Sequence, residues 1–141
     1  MNNYHSNLIL TLEDPSKWAE FRRPDFLQIL DSSASEAFQK QTLEGYLAAF
    51  LIYQQIAEDM VKNIIKLARM FNQLSVFPMK IEYGSLDDSQ MTFGRLLHEL
   101  QSLPHEDTKL VDLCKQLNIR RIQLVHKITL KENLDDIKNK C

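Results

Sequence analysis

From Leu43 to Leu74 apolar residues recur at alternating steps of three and four: Leu43, Tyr46, Phe50, Tyr53, Ala57, Met60, Ile64, Leu67, Phe71 and Leu74. That spacing brings one stripe back to the same side of an α-helix and fits no strand. A second stripe runs beside it: Leu47, Leu51, Gln54, Glu58, Val61, Ile65 and Ala68. Two of its members are polar, and Glu58 among aliphatic residues calls for a cationic partner. Upstream, Ser33 and Glu36 have the spacing of a capping box. The pattern therefore predicts a helix over 36–74, ~58 Å long at about 1.5 Å per residue. Gly45 is its weakest point, because glycine costs about 1 kcal/mol against alanine inside a helix. A bend or a late start belongs there.

The rest of the chain is compatible with helices only. With 141 residues it fits one domain, 1–141, and 3 glycines with 4 prolines are too few for the turns of an all-β fold. Residues 1–13 read as an N-terminal arm. Asp14-Pro15 reads as the start of a short helix that covers Trp18 and Phe21. Pro24 to Leu30 reads as a further turn or two, with Trp18, Phe21, Phe26, Leu27 and Leu30 over the core. Pro78, Gly84 and the run Ser85-Leu86-Asp87-Asp88-Ser89 mark 75–91 as a loop, with extended character at 79–83. Thr92 is suited to cap a short helix that Pro104 ends, and Glu106 and Asp107 are suited to open another that runs to Ile128. A charged, helical tail follows at 129–141. The expected architecture is all-α: an up-and-down antiparallel bundle of four main helices plus short terminal helices. Its core is 36–128, with the 36–74 and 106–128 helices as the main pair.

Several functions are excluded or narrowed by composition. A net charge of −2 gives no global basic field, so any contact with nucleic acid is local. Cys114 and Cys141 make neither a disulfide framework nor a zinc site; Cys114 reads as a small apolar residue and Cys141 as a tail thiol. Neither a signal peptide nor a membrane span is evident, and a cytoplasmic location is expected. His98-Glu99 and His105-Glu106 lack the spacing of a metal motif and read as surface residues. No metal or other cofactor is expected. Tyr46, Phe50, Tyr53 and Phe71 read as core rather than as a stacking platform. Lys62, Lys66 and Arg69 lie near one another on the long helix, either as a solvated face or as a modest phosphate-attracting patch.

The segment that carries chemistry is Leu117 to Ile128, the most apolar late stretch, which holds two arginines and a histidine. At about 100° per residue, Leu110, Leu113, Cys114, Leu117, Leu124, Val125 and Ile128 share one face. Arg121 falls at the centre of that face and Arg120 at its edge. His126 lies to one side with Ile119 and Ile122, a second apolar flank that a partner could cover. An arginine there is costly unless it is paired or used. A histidine can exchange protons near neutral pH, and the arginine fork matches phosphate oxygens. Arg121 and His126 point about 140° apart, so they meet only across a symmetric dimer. The structural alternative is that Arg121 pairs with Glu58 inside the bundle.

Arg121-Ile122-Gln123-Leu124-Val125-His126 resembles the motif of HEPN domains, an Arg and a His with four to six residues between them. HEPN domains are small helical domains named for higher eukaryotes and prokaryotes nucleotide binding. With Arg120 as the motif arginine the intervening count is five instead of four. Ala57-Glu58-Asp59-Met60-Val61-Lys62 is similar to their Glu-bearing second helix. Thr92-Phe93-Gly94-Arg95-Leu96-Leu97 is similar to their Thr-Leu-Gly helix start. The likeness covers 36–138. It implies a homodimer that acts as a metal-independent endoribonuclease of a toxin–antitoxin or phage-defence system, checked by a cognate, nucleotidyltransferase-like antitoxin. On that basis His126 is the general acid or base, Arg121 binds the scissile phosphate of the RNA, and Glu58 holds Arg121, with Arg120 in support. The resemblance equally admits a non-catalytic binding or assembly module in which Arg121 is a structural ion-pair residue. Ile122 stands where the motif usually has a polar residue, and Ile128 where an aromatic is common.

Overall fold

The computed structural model describes residues 3–17, 24–86, 91–103 and 108–127. The order is α1 (Asn3–Glu13), a short 3₁₀ turn (Pro15–Lys17), α2 (Pro24–Gln39), α3 (Leu43–Ser75), α4 (Phe93–Ser102) and α5 (Thr108–Lys127). No strand occurs among the described residues, and the all-α bundle expected from the sequence is the fold observed. Residues 79–83 form no strand either. The arm over 1–13 is helical from Asn3. The expected helix over Trp18 and Phe21, the Pro104 stop, the Glu106 and Asp107 start and the 129–141 tail lie outside the described residues.

The helix predicted over 36–74 divides in two. α2 runs through the expected start at Ser33, whose hydroxyl donates to the Ile29 carbonyl one turn back at 2.8 Å instead of capping anything. α2 then ends in a turn where the amides of Lys40 and Gln41 donate to the carbonyls of Ala37 and Phe38, each at 3.2 Å. Gln41 takes a left-handed φ of 52°, which reverses the chain. Thr42 caps α3, its hydroxyl accepting from the Gly45 amide at 3.1 Å. At about 1.5 Å per residue the 33 residues of α3 still span ~50 Å.

Small residues bring α2 and α3 together. Ala34 and Ala49 are fully buried, and a Cβ placed on Gly45 would collide with the Ala37 carbonyl oxygen. Phe38 and Tyr46 close this seam with ring centroids 5.3 Å apart. The most extensive contact of α3 is thus with α2. This corrects the expectation that the 36–74 and 106–128 helices form the main pair. α5 touches α3 less than α2 and α4 do.

Two apolar clusters fill the bundle. The larger joins Val61 and Ile65 of α3, Phe93, Leu96, Leu97 and Leu100 of α4, and Val111 and Cys114 of α5. Leu86, from the long connection between α3 and α4, joins the same cluster. The smaller is Tyr46 and Phe50 of α3 with Leu124 of α5, and Leu117 packs against both. The late part of α3 therefore meets the early part of α5 and the reverse, so the two helices run antiparallel. Thr92 caps α4 as expected, accepting from the Arg95 amide at 3.3 Å. Burial pushes the Cys114 thiol pKa up, in keeping with its reading as a small apolar residue.

Of the first stripe of α3 only Tyr46 and Phe50 are buried, and Tyr53, read from the sequence as core, is exposed. Met60 and Phe71 are exposed, and Val61 and Ile65 of the second stripe take over. A strict 3.5-residue repeat drifts about 20° per heptad on a straight helix, so it cannot face one partner for nine turns. Phe26 is likewise exposed, whereas Leu27 and Leu30 are half-buried.

Gly45→Ala should lower stability. Alanine gains about 1 kcal/mol of helix propensity, but forcing α2 and α3 apart costs about 1–3 kcal/mol. Thermal denaturation that shows Gly45→Ala more stable than the parent would contradict the close approach at Ala37.

Candidate functional site

α5 places the two arginines differently. Arg120 is exposed and Arg121 half-buried. Arg121 stands one turn from Leu117 and one turn from Leu124, the two leucines that pack on α3, so it faces inward as the helical projection requires. His126 belongs to α5, but its side chain lies outside the described residues. Ile119, Ile122 and Val125 are each about half exposed, so the second flank of α5 is apolar and open on this chain. Leu113 and Val125, expected on the core face, are exposed, and Val111 is buried in their place.

Glu58 has a partner other than the expected one. Its carboxylate lies 3.4 Å from the Lys62 ammonium one turn along α3. Among the described residues neither Arg120 nor Arg121 forms an ion pair. The structure thus brings Glu58 and Lys62 together, and it leaves the Arg121 guanidinium half-buried without a carboxylate among the described residues.

Gln54 is a residue that the sequence marks only as a polar interruption of the second stripe. Gln54 is 3% exposed. It lies one turn beyond Phe50, which packs on Leu124, and two turns before Val61, which shares a cluster with Cys114. No hydrogen bond of the Gln54 side chain occurs among the described residues, an unusual state for a buried amide. Asn118 stands a turn below Arg121. Its amide nitrogen comes within 3.6 Å of where a Cβ on Gly94 would be, so the capped N-terminus of α4 abuts this part of α5.

The cationic patch expected from Lys62, Lys66 and Arg69 is not a free surface. Arg69 donates to the Gly84 carbonyl at 2.6 Å and to the Glu99 carboxylate at 2.7 Å, with the Tyr83 ring 4.9 Å from its guanidinium carbon. It clamps the 76–86 connection to α3 and α4. Gln73 helps, donating to the Met79 carbonyl and accepting from the Ile81 amide at 2.6 and 2.8 Å. No group of three or more His, Cys, Asp or Glu with metal-binding geometry occurs among the described residues, and no helix of theirs is long and apolar enough to cross a membrane. Grooves of about 300 Å³ between α2 and α3 and about 220 Å³ between α4 and α5 are lined by neither Arg121 nor Glu58.

The two ion pairs should respond differently to truncation. Arg69→Ala removes hydrogen bonds from a buried guanidinium and should cost about 2 kcal/mol or more. Glu58→Ala removes a partly exposed pair one turn apart and should change stability by about 0.5 kcal/mol or less. A large loss in Glu58→Ala, measured by urea denaturation, would mean that Glu58 supports more than Lys62. No family model, no curated protein and no solved structure matches the chain, so the chemistry of the site rests on this geometry.

Proposed function

We propose that the protein is a HEPN-like, metal-independent endoribonuclease, working as a homodimer in a toxin–antitoxin or phage-defence setting. The observation that carries this reading is the half-buried Arg121 guanidinium with no ion pair among the described residues. A cation held on the inner face of a helix, with its expected carboxylate already bound to Lys62, is available to a phosphate oxyanion. His126 follows five residues later on the same helix. The open flank of Ile119, Ile122 and Val125 between them suits a second copy of the chain, which would set the two α5 helices side by side.

In this mechanism His126 takes the proton from a ribose 2′-OH. The 2′-oxygen then attacks the adjacent phosphorus, and the bond to the 5′-oxygen of the next nucleotide breaks. A protonated histidine returns the proton to that leaving oxygen. The products are a 2′,3′-cyclic phosphate and a free 5′-OH, with no redox change. Arg121 binds the phosphate and offsets the charge that grows on it in the transition state. Arg120, exposed beside it, adds attraction to the RNA backbone. A nucleotidyltransferase-like antitoxin would restrain the enzyme.

A second reading, a non-catalytic binding or assembly module, draws on the same open flank and on Ile122 beside the motif arginine. The two part on activity. The purified protein should cleave single-stranded RNA in EDTA, and inducing it should slow growth. Arg121→Ala and His126→Ala should each lower cleavage by roughly 100-fold or more while circular dichroism stays unchanged. A folded dimer that leaves RNA intact would favour the second reading, and a monomer would remove the composite cleft.

A further inference from the structure

We propose that the second half of α3 is a docking face for a second copy of the chain, with two α3 helices pairing antiparallel through Met60, Ile64, Leu67 and Phe71. The three-and-four repeat from Leu43 to Leu74 is the seam of a two-stranded coiled coil, a pattern that lays one stripe against one neighbouring helix. α2 is that neighbour for the first half. It runs antiparallel to α3 with the Ala37 carbonyl against Gly45. Its first residue, Pro24, stands 13 residues before Ala37, and 13 residues past Gly45 is Glu58, so α2 ends at about that level. The stripe runs on beyond it. Phe71 is 65% exposed and Met60 42%, and Ile64, Leu67 and Leu74 are half-buried.

Among the described residues, the helices packed most closely on α3 are α2, α4 and α5. α4 and α5 meet it at Val61 and Ile65, the neighbouring face. Arg69 and Gln73, which hold the 76–86 connection, stand two residues after Leu67 and Phe71, about 160° round the helix, so the connection crosses the opposite side. The spacing of the stripe selects its occupant. The steps from Met60 to Ile64, Leu67 and Phe71 are four, three and four, the same in both directions. A two-fold axis between Ile64 and Leu67 therefore matches the stripe to itself. Met60 meets Phe71 of the second copy, and Ile64 meets its Leu67. The face is also uncharged, since Asn63 and Met70 flank the stripe on the side away from Val61 and Ile65. Two copies thus meet without like-charge repulsion, whereas a nucleic acid or a charged helix finds no counter-charge there.

This face is separate from the α5 flank of the proposed nuclease dimer, so the test is made in an Ile122→Glu background, which removes that flank. Val125→Glu serves in its place if Ile122→Glu does not fold. Sedimentation equilibrium is the readout, with circular dichroism as the check on folding. The Ile122→Glu protein should sediment as a dimer. Adding either Phe71→Glu or Met60→Lys, both at exposed positions, should weaken that dimer at least ~10-fold, because each sets a charge against an apolar side chain. An equimolar mixture of the two variants should recover the dimer. The new ammonium of one copy then meets the new carboxylate of the other, and the remaining layer keeps Phe71 on Met60. A monomeric Ile122→Glu protein overturns the proposal, as does a dimer that Phe71→Glu and Met60→Lys leave unchanged. Weakening by both variants without recovery in the mixture overturns the pairing of Met60 with Phe71, and the proposal with it. None of these outcomes depends on RNA cleavage, so the nuclease reading stands or falls separately.

Discussion

The approach of α2 to α3 at Ala37 and Gly45 sets the position of everything else. Backbone lies against backbone there, so no side chain can widen the gap without moving a helix. With α2 covering one side of the first half of α3, the remaining side of α3 is left for α4 and α5. The Thr42 cap and the left-handed Gln41 deliver this approach by reversing the chain within three residues.

Below that seam, the bundle is held by two apolar clusters rather than one. Leu117 packs against both, and α5 carries the half-buried Arg121 between Leu117 and Leu124. A well-packed apolar layer at the same level would be the more stabilising choice, since buried ionic groups rarely repay their desolvation. A half-buried guanidinium with no ion pair among the described residues is costlier still. The α4 N-terminus ends beside Asn118, so α5 continues past it and its last turns are uncovered on one flank.

Arg69 shows how a cation read from the sequence as a free charge can be structural instead. Its spacing with Lys62 and Lys66 says only that the three share a region of the helix. Its partners, Gly84 and Glu99, lie 15 and 30 residues away. Nothing local in the sequence announces them, because long-range pairs depend on how the connection folds back. Glu58 is the opposite case: a partner one turn away, Lys62, outcompetes the distant arginine at far less conformational cost.

The helices themselves were legible from local chemistry. The three-and-four periodicity of α3, the Thr92 cap and the inward position of Arg121 all follow from side-chain spacing and hydrogen-bonding capacity, which a chain carries before it folds. The break at 40–42 was not legible. Its residues include neither Gly nor Pro, and Ser33 with Glu36 offered an equally good start that the helix passes through. Which start is used depends on the close fit of Ala37 on Gly45, a contact that exists only once α2 lies on α3. The same holds for the site. The sequence by itself determined that a charged residue faces inward on α5, whereas tertiary packing decided what it meets. A drifting 3.5-residue stripe must change faces along a straight helix, and Glu58 takes Lys62, one turn along α3, in place of the arginine.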